Sequence, residues 1–297
     1  MHTPQAARLV ANRAAKRLLI CGFALGLLVG CGDTEKKFVD LSNRGIEALD
    51  REDFDTADSL FKEALKVRPA DADSHYYLGT IAVRTGQFKV AAEHLRASVV
   101  GDPTRAEAHL GLAKALFEDK QPKDASVALQ SLFKLDPGHP QGHLLAARIA
   151  LGNRDKKTAD QELRAAIQGD AGFAPAYQML GQLYVDVGGF EQARKVLQEG
   201  LRFAPQQVEL REALGLVMLD LGRPDRAKEE LQSASQMPHA RPQIYFNLAS
   251  AELQLSNREA AISSLRAFII QSQGLLAKDS PLIQQAASMV NKLRASH

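Results

Sequence analysis

"HYYLGTIAVRTGQFKVAAEHLRASVVGDP", residues 75–103, decides the fold, because it is one copy of a pattern that repeats. It returns one period on as "HLGLAKALFEDKQPKDASVALQSLFKLDP", residues 109–137, and two periods further as "YQMLGQLYVDVGGFEQARKVLQEGLRFAP", residues 177–205. Pro69, Pro103, Pro137 and Pro205 all fall on one 34-residue grid, on which seven units run from Phe38 to Leu275 without insertion or deletion. A fixed period in this range is the signature of a stacked array of small structural units.

The columns of the grid say what each unit is. Ala57, Ala91, Ala125, Ala159, Ala193, Ala227 and Ala261 form one unbroken column, followed four residues later by Phe61, Leu95, Leu129, Leu163, Leu197, Leu231 and Leu265. Residues four apart share a helix face, so the alanine admits a neighbouring helix and the larger side chain fills the remaining space. A second small column, Gly45, Gly79, Ala113, Ala147, Gly181, Gly215 and Ala249, predicts the same on a preceding helix. Gly86, Gly188 and Gly222 stand between the two helices, where a left-handed position tolerates no Cβ easily. Pro122 and Pro224 stand where the second helix starts, a position that needs no N–H. The unit-end prolines stop that helix.

This pattern resembles the tetratricopeptide repeat, whose small-residue, Ala, aromatic-or-Leu and Pro columns it reproduces in order over residues 38–275. The resemblance implies an all-α, right-handed superhelical solenoid of seven helix-turn-helix units. Units three and four depart by replacing Gly in the small column or between the helices. The seventh departs by placing Phe268 in another small column and by lacking a terminal Pro. Residues 276–297 are read as a capping helix, because the last unit of a solenoid otherwise exposes its apolar face. In it Ser280 is the expected N-cap, Pro281 the first turn, and Leu282, Ala286, Met289, Val290 and Leu293 the apolar stripe.

The other end reads as processing. Arg8, Arg13, Lys16 and Arg17, with no acidic residue among them, precede an apolar run from Leu18 to Gly30, shorter than the roughly 20 residues a membrane helix needs. Leu28-Val29-Gly30-Cys31 resembles the lipobox of bacterial lipoprotein signal peptides, which implies a signal peptide over 1–30 and lipidation of Cys31 as the mature N-terminus. Residues 31–37 become a lipidated tether of at most about 25 Å if extended. The implied location is the cell envelope, facing the periplasm, with Gly32 after the cysteine favouring the outer over the inner membrane. Cys21 leaves with the leader and no cysteine follows Cys31, so the body holds no disulfide framework or thiolate metal site.

Composition excludes further classes. Of 37 Lys+Arg, four lie in the leader, so 33 face 35 Asp+Glu in the remainder, and no basic footprint for nucleic acid is left. No phosphate-binding glycine loop, HExxH helix or GxSxG elbow occurs, so neither a catalytic centre nor a cofactor is expected. His75, His109 and His143 occupy one column. Equivalent positions in stacked helix pairs lie about 10 Å apart, too far to share a zinc at about 2 Å from each nitrogen. That column reads as packing, with Tyr177 and Tyr245 as its counterparts. Pro140 argues against one helix running through both His139 and His143.

What remains is surface. The resemblance implies a concave groove lined by the first helix of each unit, with Tyr76, Thr80 and Val83 from the second unit and Leu110, Lys114 and Phe117 from the third. Leu144, Arg148 and Leu151 follow from the fourth, and Gln178, Gln182 and Val185 from the fifth. An apolar floor edged by two cations suits a helical or extended peptide with apolar anchors and an acidic flank. The expected function is a lipid-anchored adaptor for protein partners in assembly of an envelope machine handling outer-membrane proteins, pili or polysaccharide. The alternative is a regulatory subunit of an envelope enzyme such as a peptidoglycan hydrolase or protease.

Overall fold

The computed structural model describes residues 28–275 and 280–295, the first four of them by backbone alone. Residues 1–27 of the expected leader and the side chain of Cys31 lie outside the described residues. Those described contain fifteen α-helices and no strand, and none of the helices is long and apolar enough to cross a membrane. They fall into two compact units, one ending at Pro137 and the other beginning at Gly138.

The first unit holds three helix pairs: α1 (Leu28–Asp50) with α2 (Phe54–Val67), α3 (Ala72–Arg84) with α4 (Phe88–Gly101), and α5 (Ala106–Glu118) with α6 (Pro122–Leu135). Residues 31–37, read from the sequence as a tether, are helical and continuous with the first repeat. The second unit holds four pairs and a final helix. They are α7 (Pro140–Gly152) with α8 (Lys156–Gly169), α9 (Ala174–Val185) with α10 (Phe190–Phe203), α11 (Val208–Asp220) with α12 (Pro224–Ser235), α13 (Gln243–Gln254) with α14 (Arg258–Ser272), and then α15 (Pro281–Ala295).

One turn joins the helices of every pair. The residue in the left-handed region is Gly86, Gly188 or Gly222 in three units, and Glu52, Lys120, Arg154 or Ser256, with φ of 58°, 63°, 61° and 60°, in the other four. The following residue donates its N–H five residues back in each unit, as from Gln87 to the Ala82 carbonyl at 2.8 Å and from Gln121 to Leu116 at 2.8 Å. This is the Schellman closure, which satisfies carbonyls that a helix end otherwise leaves orphaned. Units three and four therefore keep the turn without its glycine. Pro122 and Pro224 open their helices as expected, and Asp53, Asp71 and Asp155 cap theirs by accepting the N–H of Thr56, Ser74 and Thr158.

Packing within a pair is a knob on a bare surface. A Cβ added at Gly79 would stand 2.5 Å from Leu95 Cγ, at Gly181 2.8 Å from Leu197 Cδ2, at Gly215 2.6 Å from Leu231 Cγ, and at Gly45 2.8 Å from Phe61 Cζ. The small column of the first helix and the Phe-or-Leu column of the second are thus the two sides of one contact. In the second unit the core runs through Leu163, Tyr177, Leu180, Leu197, Leu210, Leu214 and Leu231, all at most 1% exposed. α15 closes the far end by laying Ile283, Ala286, Met289, Val290 and Leu293 against the cluster of Ala261, Ile262, Leu265 and Phe268. Its apolar row passes through Ile283, whereas Leu282 is 40% exposed, so the expected stripe is corrected at that residue. Phe268 is accommodated edge-on to Phe246, with centroids 5.5 Å apart.

Candidate peptide-binding groove

Within the second unit, α9 and α11 lie side by side with α10 behind them, and the space between them is a groove of about 680 Å³. Met179, Val185, Ala213, Leu216, Val217 and Leu219 supply its apolar lining, and the Gly181 backbone lies bare because Leu197 occupies the space of a side chain. Gln178 and Gln182, expected from the sequence, line it and are exposed. The Gln182 amide donates to Asp186 Oδ1 at 2.8 Å.

Its sixth-unit wall is Glu212, Leu216 and Leu219, which occupy the columns of Gln178, Gln182 and Val185 one period on. Sequence reasoning stopped one unit short of them, although the grid alone locates them. Glu212 is 6% exposed. Its Oε2 accepts from Arg241 Nη2 at 2.5 Å and its Oε1 from Asn247 Nδ2 at 3.0 Å, so both oxygens of this buried carboxylate are engaged. Burial of a charge is tolerable on those terms. Glu209 and Asp220, by contrast, are exposed at the two ends of α11.

The remaining expected residues lie elsewhere. Leu144, Arg148 and Leu151 are on α7 and do not line this groove; Arg148 is exposed and the two leucines are half-buried. On the first unit, Tyr76 is half-buried beneath the Arg105 guanidinium, 4.9 Å from the ring centroid, and Arg105 itself is ion-paired with Asp73. Thr80 gives its hydroxyl hydrogen to the Tyr76 carbonyl at 2.9 Å. Leu110 is only 8% exposed and belongs to the core more than to any open surface. Lys114 and Phe117 are half-buried, and burial holds the Lys114 ammonium below its ordinary pKa.

The histidine column does more than fill space. His75 Nε2 lies 3.0 Å from the Pro69 carbonyl, which only accepts, so that nitrogen carries the proton. Its bare Nδ1 is then the acceptor for His94 Nδ1–H at 3.0 Å, on the second helix. His109 Nε2 meets the Pro103 carbonyl at 3.0 Å, His143 Nδ1 meets Glu162 at 2.7 Å, and Arg211, in the same column, meets Glu230 at 2.9 Å. The column ties the incoming loop or the second helix to the first. His139, as Pro140 implied, is outside α7, its Nδ1 accepting the Gly142 N–H at 3.2 Å as an N-cap. Among the described residues no cluster of three or more His, Cys, Asp or Glu side chains forms that would hold a metal ion.

Residues 43–106, 82–149 and 145–277 each match a model of the tetratricopeptide repeat. No curated protein matches the chain at a significant level. Among solved structures it is similar to a tetratricopeptide repeat protein from Parabacteroides merdae ATCC 43184, with TM-score 0.61 at 15% identity over 86% of this chain and 99% of that one. It is similar to PilF of Pseudomonas aeruginosa, with TM-score 0.58 at 18% identity over 73% of this chain and 96% of that one. A third is PilW, with TM-score 0.57 at 15% identity over 67% and 92%. With the 34-residue grid, the paired helices and three repeat matches spanning residues 43–277, the chain belongs to the tetratricopeptide-repeat family of protein-interaction scaffolds.

Proposed function

We propose that this protein is a lipid-anchored adaptor of a bacterial cell envelope, which seats a segment of another protein between α9 and α11 and brings it to an assembling machine. The observation that carries the reading is the groove itself: an apolar floor with a few convergent polar groups on helices held rigid by knob-on-glycine packing. The basic and then apolar leader ending at Leu28-Val29-Gly30-Cys31 supports the anchor. Among proteins that share this fold, PilW is described as a widely conserved type IV pilus biogenesis factor, which makes a pilus the first machine to test. With residues 31–37 helical, an anchor at Cys31 would hold the repeats within about 10 Å of the bilayer surface, at about 1.5 Å per residue.

Photo-crosslinking in the native host tests the adaptor reading. Probes go at Gln178, Gln182 and Leu216, with controls at Lys195 and Glu199, exposed on α10. The expected result is one envelope protein captured from the groove and not from α10. Equal capture from both faces, or none, overturns it. If the captured partner is an enzyme whose turnover changes when this protein is added, the regulatory alternative takes its place. Incorporation of labelled palmitate, lost in Cys31→Ser, tests the anchor independently.

A further inference from the structure

We infer that the groove of the fifth and sixth repeats takes a cationic segment, with apolar anchors flanked by Lys or Arg; this rests on reading that groove as a peptide site. The two cations on which an acidic partner was expected, Lys114 and Arg148, do not line it. Its charged lining is Glu209, Glu212, Asp220 and Arg241, three carboxylates to one guanidinium. Arg241 is committed to Glu212, and that pair cancels. Glu209 and Asp220 are left exposed, and neither has an ion-pair partner among the described residues.

Their placement gives the partner a pattern. Glu209 is in the first turn of α11 and Asp220 is its last residue, so they stand about 16 Å apart at about 1.5 Å per residue. Between them lie Ala213, Leu216, Val217 and Leu219. A segment lying along this wall meets an acid, an apolar stretch and a second acid. Its own basic residues would be about eleven apart if it is helical, or about five apart if extended. An acidic segment would meet two uncompensated like charges and lose that contact.

The test is selection from a library of random 12-residue peptides displayed on phage, against the immobilised full chain. Selections run in parallel on Glu209→Gln/Asp220→Asn, which keeps the apolar floor, and on Leu216→Arg, which fills it. Leu216 is already 39% exposed, so that variant is expected to fold, and circular dichroism checks it. The expected outcome is an enriched set carrying net positive charge around apolar anchors. Its members bind the double variant about three- to tenfold more weakly at low salt and lose most of that difference at 0.5 M salt. Enrichment of acidic or uncharged peptides, or equal binding to the double variant, overturns the inference while leaving the groove a peptide site. No enrichment at all, or the same set from Leu216→Arg, overturns the groove reading itself. Self-association of the full chain that Leu216→Arg abolishes would make a second copy the occupant, and also overturns the inference.

Discussion

At Gly79 a methyl group would arrive 2.5 Å from Leu95 Cγ. Helix propensity favours almost any residue over glycine by up to about 1 kcal/mol, but overpacking a closed contact costs about 1–3 kcal/mol, so packing wins. Gly79→Val is expected to lower stability by about 1–3 kcal/mol in urea unfolding; an unchanged midpoint would mean that α3 and α4 are not in the contact described. The left-handed turn residues predict the opposite sign. Lys120, at φ 63°, is held where an L side chain is disfavoured by about 1–2 kcal/mol, partly offset by the greater unfolded-state freedom of glycine. Lys120→Gly is expected to stabilise by about 0.5–1 kcal/mol, read as a rise in Tm. His94 adds a pH dependence. Burial first, then the neighbouring His75 and Lys62, hold its imidazole below 6.5 against the pull of Asp58 and Glu93. The unfolded chain therefore binds the extra proton, and stability contributed above pH 6.5 is lost as pH falls below it. Urea midpoints at pH 7.5 and 5.5 should differ in that sense, and the difference should shrink in His94→Gln.

Among the helices, α15 is the element whose removal is most informative. It shields Phe268, Leu265 and Ile262, and buries its own Ala286 and Val290 in doing so. A chain ending after Leu275 leaves that cluster uncovered, and an unsealed solenoid end is poorly soluble. Self-association in analytical ultracentrifugation and a lower Tm are the expected results. A truncated chain that stays monomeric with the same Tm would show that α15 is not the seal and is free for another role.

Over the whole molecule, stability should be local. Within each compact unit a helix pair packs on the pairs next to it, so a perturbation is felt by adjacent repeats and little beyond. Leu214 is 1% exposed in the core of the second unit, and Leu214→Ala is expected to cost about 2–5 kcal/mol there. Amide hydrogen exchange should speed up in α9 to α13 and stay unchanged in α1 to α4. A uniform loss of protection along the chain would mean a single cooperative fold instead.

The sequence by itself determined the repeat and its helix pairs, because a fixed period forces every unit to solve the same packing problem with the same columns. Gly79 and Leu95, or Gly215 and Leu231, are legible from spacing alone for that reason. The tertiary structure decided what depends on neighbours that periodicity does not rank. It turned α15 so that Ile283 rather than Leu282 faces the core, sank Leu110 below the surface, and kept the Lys120 and Arg154 turns left-handed without glycine. It also opened the groove at the fifth and sixth repeats, where a buried Glu212 is held by Arg241 at the end of its own repeat and by Asn247 of the next. Columns give each residue its place in a repeat, but the space left between two first helices, and the sign of the charge around it, arise only when particular repeats are stacked.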